Sequence, residues 1–186
     1  ITEIRKVNVL NEIAEWTLAH TSQFFSINEL ASKASVSKET VLNYIEAIKA
    51  MYLFDELSAW NKSDYDKLGK RSKYMATDSS MVANVLGWNE ENVYLDEQKN
   101  GKLIETWVYN QLSSIADLSH EYTISHYRDN KKREIDFIVE RQDGAILGIE
   151  VKSGTVSKGD FKHLKWFAAN LAKKEFTGIV LYSGEH

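Results

Sequence analysis

The stretch EIDFIVERQDGAILGIEVKS, Glu134 to Ser153, puts three charged side chains where strand residues should be buried. Asp136 falls among the alternating Ile135, Phe137 and Val139, while Glu150 and Lys152 fall among Leu147, Ile149 and Val151. Residues two apart on a strand share a face, so Glu150 and Lys152 point the same way. With Asp136 on that face, two carboxylates and an ammonium converge on one patch. Such a set suits a divalent cation and a polarised water, because hard cations take oxygen donors and keep part of their hydration shell. Glu105 is a further candidate. It lies three and seven positions before Val108 and Leu112, on the core-facing stripe of a helix. A carboxylate there is costly unless paired or metal-bound.

These groups meet only if the two strands pair in one register. A two-residue turn at Asp143-Gly144 would set Ile135 opposite Lys152 and mix the faces. The three-residue loop Gln142-Asp143-Gly144 instead pairs Ile135 with Val151, Phe137 with Ile149 and Val139 with Leu147, and sets Asp136 opposite Glu150. Loops of this length often end on a left-handed glycine, which Gly144 supplies. A slip by one residue would turn the apolar face to water, so the three-residue loop is the expected one.

The elements around the hairpin divide the chain into 1–80, a connector 81–100, and 101–186. Val9, Leu10, Ile13, Trp16 and Leu18 predict a helix over 5–19. Ser26 with Glu29 reads as a capping box opening a short helix to Lys33. Ser37 caps a longer one carrying Val41, Leu42, Ile45, Ile48 and Met51. Two helices joined by a tight turn form a helix-turn-helix. Strands at 53–58 and 74–77 around a polar loop complete a winged-helix pattern. Further on, a short helix (81–86), a polar connection, a helix (101–118), a strand (122–128), the hairpin, a helix (157–172) and a strand (176–182) follow. The last helix crosses between two strands and implies a parallel pair. The expected class is α/β, α+β overall, with a winged helix ahead of a mixed-sheet domain.

Composition limits the function classes. Net charge is −4 with 43% hydrophobic residues, which gives ample core and no strongly basic nucleic-acid binder. Residues 1–78 hold ten Lys/Arg against eleven Asp/Glu, so a DNA footprint there is local. Its expected members are Lys62, Lys70, Arg71 and Lys73 in the wing, and Lys131, Lys132 and Arg133 in the turn before the hairpin. Without cysteine, thiolate metal sites are excluded. No apolar run reaches the roughly 18 residues needed to span a membrane, and a cytoplasmic protein is expected. His20, His126 and His163 show no ligand spacing, and the five tryptophans are scattered in the manner of core residues.

The order of helix with Glu105, strand, hairpin with Asp136, Glu150 and Lys152, helix, strand resembles the PD-(D/E)xK nuclease superfamily and its restriction-endonuclease-like fold. Carried over position by position, the resemblance implies that Asp136 and Glu150 bind Mg²⁺ or Mn²⁺, with the Val151 carbonyl as third ligand. Lys152 would orient the attacking water, Glu105 would match the helix carboxylate, and Lys162 is the nearest counterpart of a basic residue on the following helix. A broader similarity runs through Lys73-Tyr74-Met75-Ala76-Thr77-Asp78, Leu103-Ile104-Glu105-Thr106-Trp107-Val108, Tyr127-Arg128, Glu134-Ile135-Asp136-Phe137, Ile149-Glu150-Val151-Lys152 and Val180-Leu181-Tyr182-Ser183-Gly184. It looks like the C-terminal region of a prokaryotic AAA+-type ATPase family, departing from it at Ser79-Ser80-Met81, where that family has Gly-Leu. The chain has no GxxxxGK[ST] loop, so the resemblance implies an ATPase module upstream of Ile1 and no ATP site here. Two readings follow. One is a Mg²⁺-dependent nuclease acting on DNA. The other is a non-catalytic region of an ATPase, able to oligomerise, that binds nucleic acid or a partner protein.

Overall fold

Apolar residues recurring at helical spacing build the first elements of the computed structural model, which describes residues 7–61 and 71–184. Helix α1 (Val7–Ala19) buries Ile13 and Leu18. The Ser26 hydroxyl caps α2 (Ile27–Lys33) by accepting from the Glu29 N–H, and Ser37 caps α3 (Lys38–Ala50) through the Thr40 N–H. Each cap satisfies a donor that the helix itself leaves open. Strands β1 (Phe54–Leu57) and β2 (Lys73–Ala76) pair antiparallel. Lys62, Lys67 and Lys70 lie outside the described residues.

After α4 (Ser79–Val85) comes a helix that the sequence pattern missed, α5 (Glu90–Tyr94), which buries no side chain and so carries no apolar stripe. Asp96 then caps the long α6 (Glu97–Ser119), which starts four residues earlier than its apolar pattern suggested. The second sheet runs β3 (Tyr122–Arg128), β4 (Glu134–Arg141), β5 (Ile146–Lys152) and β6 (Phe176–Tyr182) in that spatial order. Its last pair is parallel, reached through a 3₁₀ turn (Lys158–Phe161) and α7 (Lys162–Asn170). The class is therefore mixed α/β, as expected.

The β4–β5 register is the expected one: Phe137 faces Ile149 and Val139 faces Leu147. Arg141 and Gly144 close the loop by an N–H to carbonyl bond of 2.7 Å, and Gly144 takes φ +82°. Gly148 on β5 serves another purpose. A Cβ there would stand 2.8 Å from Phe176 and 2.9 Å from Leu164, so only glycine lets α7 and β6 approach this closely.

One expectation needs correction. Ile135 does not continue the face of Phe137 and Val139. Between the pairs Ser125↔Ile138 and Tyr127↔Ile135, β4 spends one residue more than β3, so Asp136 and Phe137 together oppose His126. This β-bulge sends Ile135 into the core beside α7, with Ile138, Leu164 and Phe167, while Phe137 packs under α6 with Val108, Tyr109 and Ile149. The ladder to β5 stops at Phe137. A bulge bends its strand and re-aims a side chain, and here the re-aimed residue is Asp136.

The hairpin β1–β2 belongs to two cores at once. Phe54 and Ala76 pack with α1 to α4, whereas Leu57 and Met75 pack under α6 against Phe137 and Ile149. The Tyr109 hydroxyl donates to Asp55 at 3.0 Å. Just past β1, Trp60 N–H donates to the His126 carbonyl and His126 N–H to that of Ser58. The two sheets remain separate, and among the described residues one isolated bridge, Ala59 to His126, joins them.

A buried carboxylate cluster as candidate active site

Period two on β2 decides the geometry. Lys73 and Met75 share a face, and Met75 is fully buried, so the Lys73 side chain must enter the interior too. It does so at 2% exposure, ending among carboxylates: Glu134 at 2.8 Å, Glu105 at 3.0 Å and Asp136 at 3.8 Å. The expectation that Lys73 binds phosphate from a wing is thereby corrected, because its ammonium is enclosed and already engaged. Sequence reasoning had the signal available. A charge on the apolar side of a strand poses the same question as Glu105 on the apolar stripe of α6.

Asp136 is fixed twice, by Lys73 and by the Val151 N–H, which donates to Oδ2 at 2.8 Å where the ladder has opened. On β5, Glu150 is 6% exposed, and Lys152 Nζ lies 3.4 Å from its Oε2. Its other oxygen, Oε1, is buried with no hydrogen-bond partner. Such an atom is costly unless something fills the gap. Glu134 also pairs with Arg128 at 3.3 Å. Four carboxyl groups thus face Lys73, Lys152 and Arg128.

Burial, reinforced by the Asp136 charge, pushes the Glu105 carboxyl up to about 7 against the pull of Lys73. The same two causes raise Glu150 to about 8, opposed by Lys152. Burial works against the charge on Lys73 and Lys152, yet the surrounding carboxylates outweigh it and hold both above the ordinary lysine value. Lys152 is therefore a cation at neutral pH, able to donate to an oxygen and not to take a proton from one.

The structure brings Asp136, Glu150 and Lys152 together at the splayed end of β4–β5 and Glu105 joins them through Lys73, but the expected pairing of Asp136 with Glu150 is absent because the ladder ends at Phe137. Among the described residues, no group of three or more His, Asp or Glu side chains could hold a metal ion unaided. The donor set that remains is Asp136 and Glu150. It fits Mg²⁺, an ion usually bound by one or two carboxylates with retained waters, and the unpartnered Glu150 oxygen suits that role. Glu105 and Asp136 line an open cleft of about 520 Å³ with Lys73, Glu134, Arg128 and Phe24.

The other expected phosphate contacts divide. Arg71, Lys131 and Lys132 are exposed. Arg133 is held by Asp129 at 2.6 Å and lies 3.2 Å over the Trp166 ring, so it braces the turn. Lys162 is exposed at the start of α7. Phe24, Arg128 and Glu134 were missed. Phe24 sits in a connection without periodicity, and the other two gain meaning only from Lys73.

Residues 1–92 match a family described as a domain of unknown function (DUF8612), and residues 100–186 match another domain of unknown function (DUF4143). The chain is also similar to uncharacterized proteins of Mycobacterium tuberculosis and Mycobacterium bovis. Each is 27% identical over 177 residues that cover 92% of this chain. The chain spans 38% of the length of these relatives. No solved structure matches it. No helix among the described residues is long and apolar enough to cross a membrane.

Proposed function

We propose that this chain carries a nuclease-like site that cleaves phosphodiester bonds in DNA with a divalent metal, and that it forms the C-terminal part of a longer AAA+-type ATPase. The observation that carries the reading is the buried, unpartnered Oε1 of Glu150, close enough to Asp136 for that charge to help raise the Glu150 carboxyl. A cation there would remove both the unsatisfied oxygen and the repulsion. When bound, Mg²⁺ would supply Lewis acidity toward a phosphate oxygen and a water of lowered pKa. Asp136 and Glu150 provide its oxygens, and the Val151 N–H holds Asp136 in place. Lys152, kept protonated by its carboxylate neighbours, donates to the attacking water or to a phosphate oxygen. Lys73 sets the positions of Asp136 and Glu105. The motif order supports the ATPase assignment, as does the greater length of the mycobacterial relatives.

A second reading has its own observation. The Lys73 ammonium already lies among Glu105, Glu134 and Asp136, in the manner of a built-in cation. A cluster satisfied in this way serves a non-catalytic region that binds nucleic acid or a partner protein. Incubation of the protein with labelled DNA and Mn²⁺ separates the two. Cleavage abolished by Asp136→Ala supports the nuclease, and DNA left intact under these conditions supports the regulatory region.

A further inference from the structure

The cleft at Asp136 does not end there. A second open cleft, about 570 Å³, adjoins it and shares Phe24 and Arg128 as a common wall. Its other lining residues include Arg71, His126, Asp129 and Asn130. One trough therefore runs from the carboxylate cluster, past an aromatic ring, to two arginines.

The fold positions that ring deliberately. Between α1 and α2 the chain lies across β2 and α6. Ser22, at φ +63°, donates its N–H to the Tyr74 carbonyl, and the Thr21 hydroxyl meets those of Thr106 and the Ala76 N–H. Half-buried Phe24 is thereby held with the Arg128 guanidinium 4.7 Å and the Lys73 ammonium 5.3 Å from its centroid, and the His126 ring at 5.0 Å. His126 positions Arg71: its Nε2 lies 3.1 Å from the Arg71 carbonyl, an acceptor, so Nε2 carries the proton. Arg128 is exposed and its pair with Glu134 is open to water, so it exchanges readily for a phosphate.

We propose that this trough binds an unpaired nucleic-acid strand, one base stacked on Phe24 and the neighbouring phosphates on Arg71 and Arg128, and leads it to Asp136. The inference rests on the nuclease-like reading and names the substrate class of that site. A single aromatic ring inside a trough can stack only a base that has left its neighbours, whereas the bases of a duplex stack on one another. Alternating aromatic and cationic groups along a groove suit a single strand of any sequence.

The test is fluorescence anisotropy with labelled oligodeoxythymidine and with a duplex of equal length, in EDTA so that binding is read without cleavage. The single strand should bind more tightly than the duplex. Phe24→Ala should weaken it by roughly five- to one-hundred-and-fifty-fold, the worth of one stacked base. Phe24→Leu, which keeps the apolar packing, should show the same loss with an unchanged unfolding midpoint. Arg71→Gln and Arg128→Gln should each weaken binding and reduce the salt slope by about one. Lys38→Gln, an equal charge change on α3, should alter neither quantity. Equal affinity for duplex, or full affinity in both Phe24 variants, overturns the proposal. If the strand binds as described but Mn²⁺ brings no cleavage, the nuclease reading fails and the strand site stands. If cleavage occurs and depends on Asp136 without preference for an unpaired strand, the reverse holds.

Discussion

Replacing Lys73 by Met removes a charge that three carboxylates share and leaves the aliphatic volume nearly intact. Lys73 is 2% exposed, with Glu134 at 2.8 Å, Glu105 at 3.0 Å and Asp136 at 3.8 Å. Taking one partner from a buried ion pair leaves the others uncompensated and costs about 3–5 kcal/mol. For a domain of this size each kcal/mol moves Tm by about 2–4 °C, so a fall of roughly 6–20 °C is expected at pH 8. The loss should shrink at low pH. The Glu105 carboxyl already titrates near 7, and without Lys73 it would rise further. A raised carboxyl favours the folded state below its unfolded value of 4.5 and loses that advantage as pH climbs through the folded one. At pH 5 the Glu105 carboxyl of the variant holds its proton and repels Asp136 less. Urea unfolding followed by tryptophan fluorescence at pH 5 and pH 8 measures both effects. A loss below about 1 kcal/mol at pH 8, the size expected of a solvent-exposed pair, would refute the argument, as would equal losses at both pH values.

Glu150→Gln should stabilise the metal-free protein at pH 9, because the native carboxyl, raised from 4.5 to about 8, is forced to ionise while buried. At pH 5 the two proteins should unfold at nearly the same temperature. Saturating Mg²⁺ should favour the wild type instead, as differential scanning fluorimetry would show. Gly148→Ala places a Cβ 2.8 Å from Phe176 and 2.9 Å from Leu164, and the overpacking should cost about 1–3 kcal/mol in urea unfolding. Tyr109→Phe removes the 3.0 Å bond to Asp55 that ties α6 to the first hairpin, and should cost about 0.5–1.5 kcal/mol in the same assay.

The expected strands at 122–128 and 176–182 match β3 and β6 at their observed bounds, and period-two alternation set the β4–β5 register. It could not reveal the bulge at Asp136, because an extra residue on one strand leaves no trace in that strand's own alternation. The strand expected at 74–77 left Lys73 outside it, among Lys70 and Arg71 of the wing; the observed strand begins at Lys73, which puts that side chain on the face of buried Met75. Sharing of the first hairpin between both cores depends on α6 lying across it. Nothing local encodes such a contact. The trough wall at Phe24 was likewise invisible, since it comes from a loop some hundred residues before the carboxylates it borders.

The nuclease-like reading requires Asp136 and Glu150 to take a divalent cation. Crystals soaked in Mn²⁺ and measured at its absorption edge test it directly. An anomalous peak is expected about 2.0–2.6 Å from oxygens of both carboxylates, with waters completing the shell and Lys73 still bound to Glu105. Absence of a peak there, or Mn²⁺ found only on surface carboxylates, would contradict the nuclease reading and leave a structural cluster held by Lys73, Lys152 and Arg128.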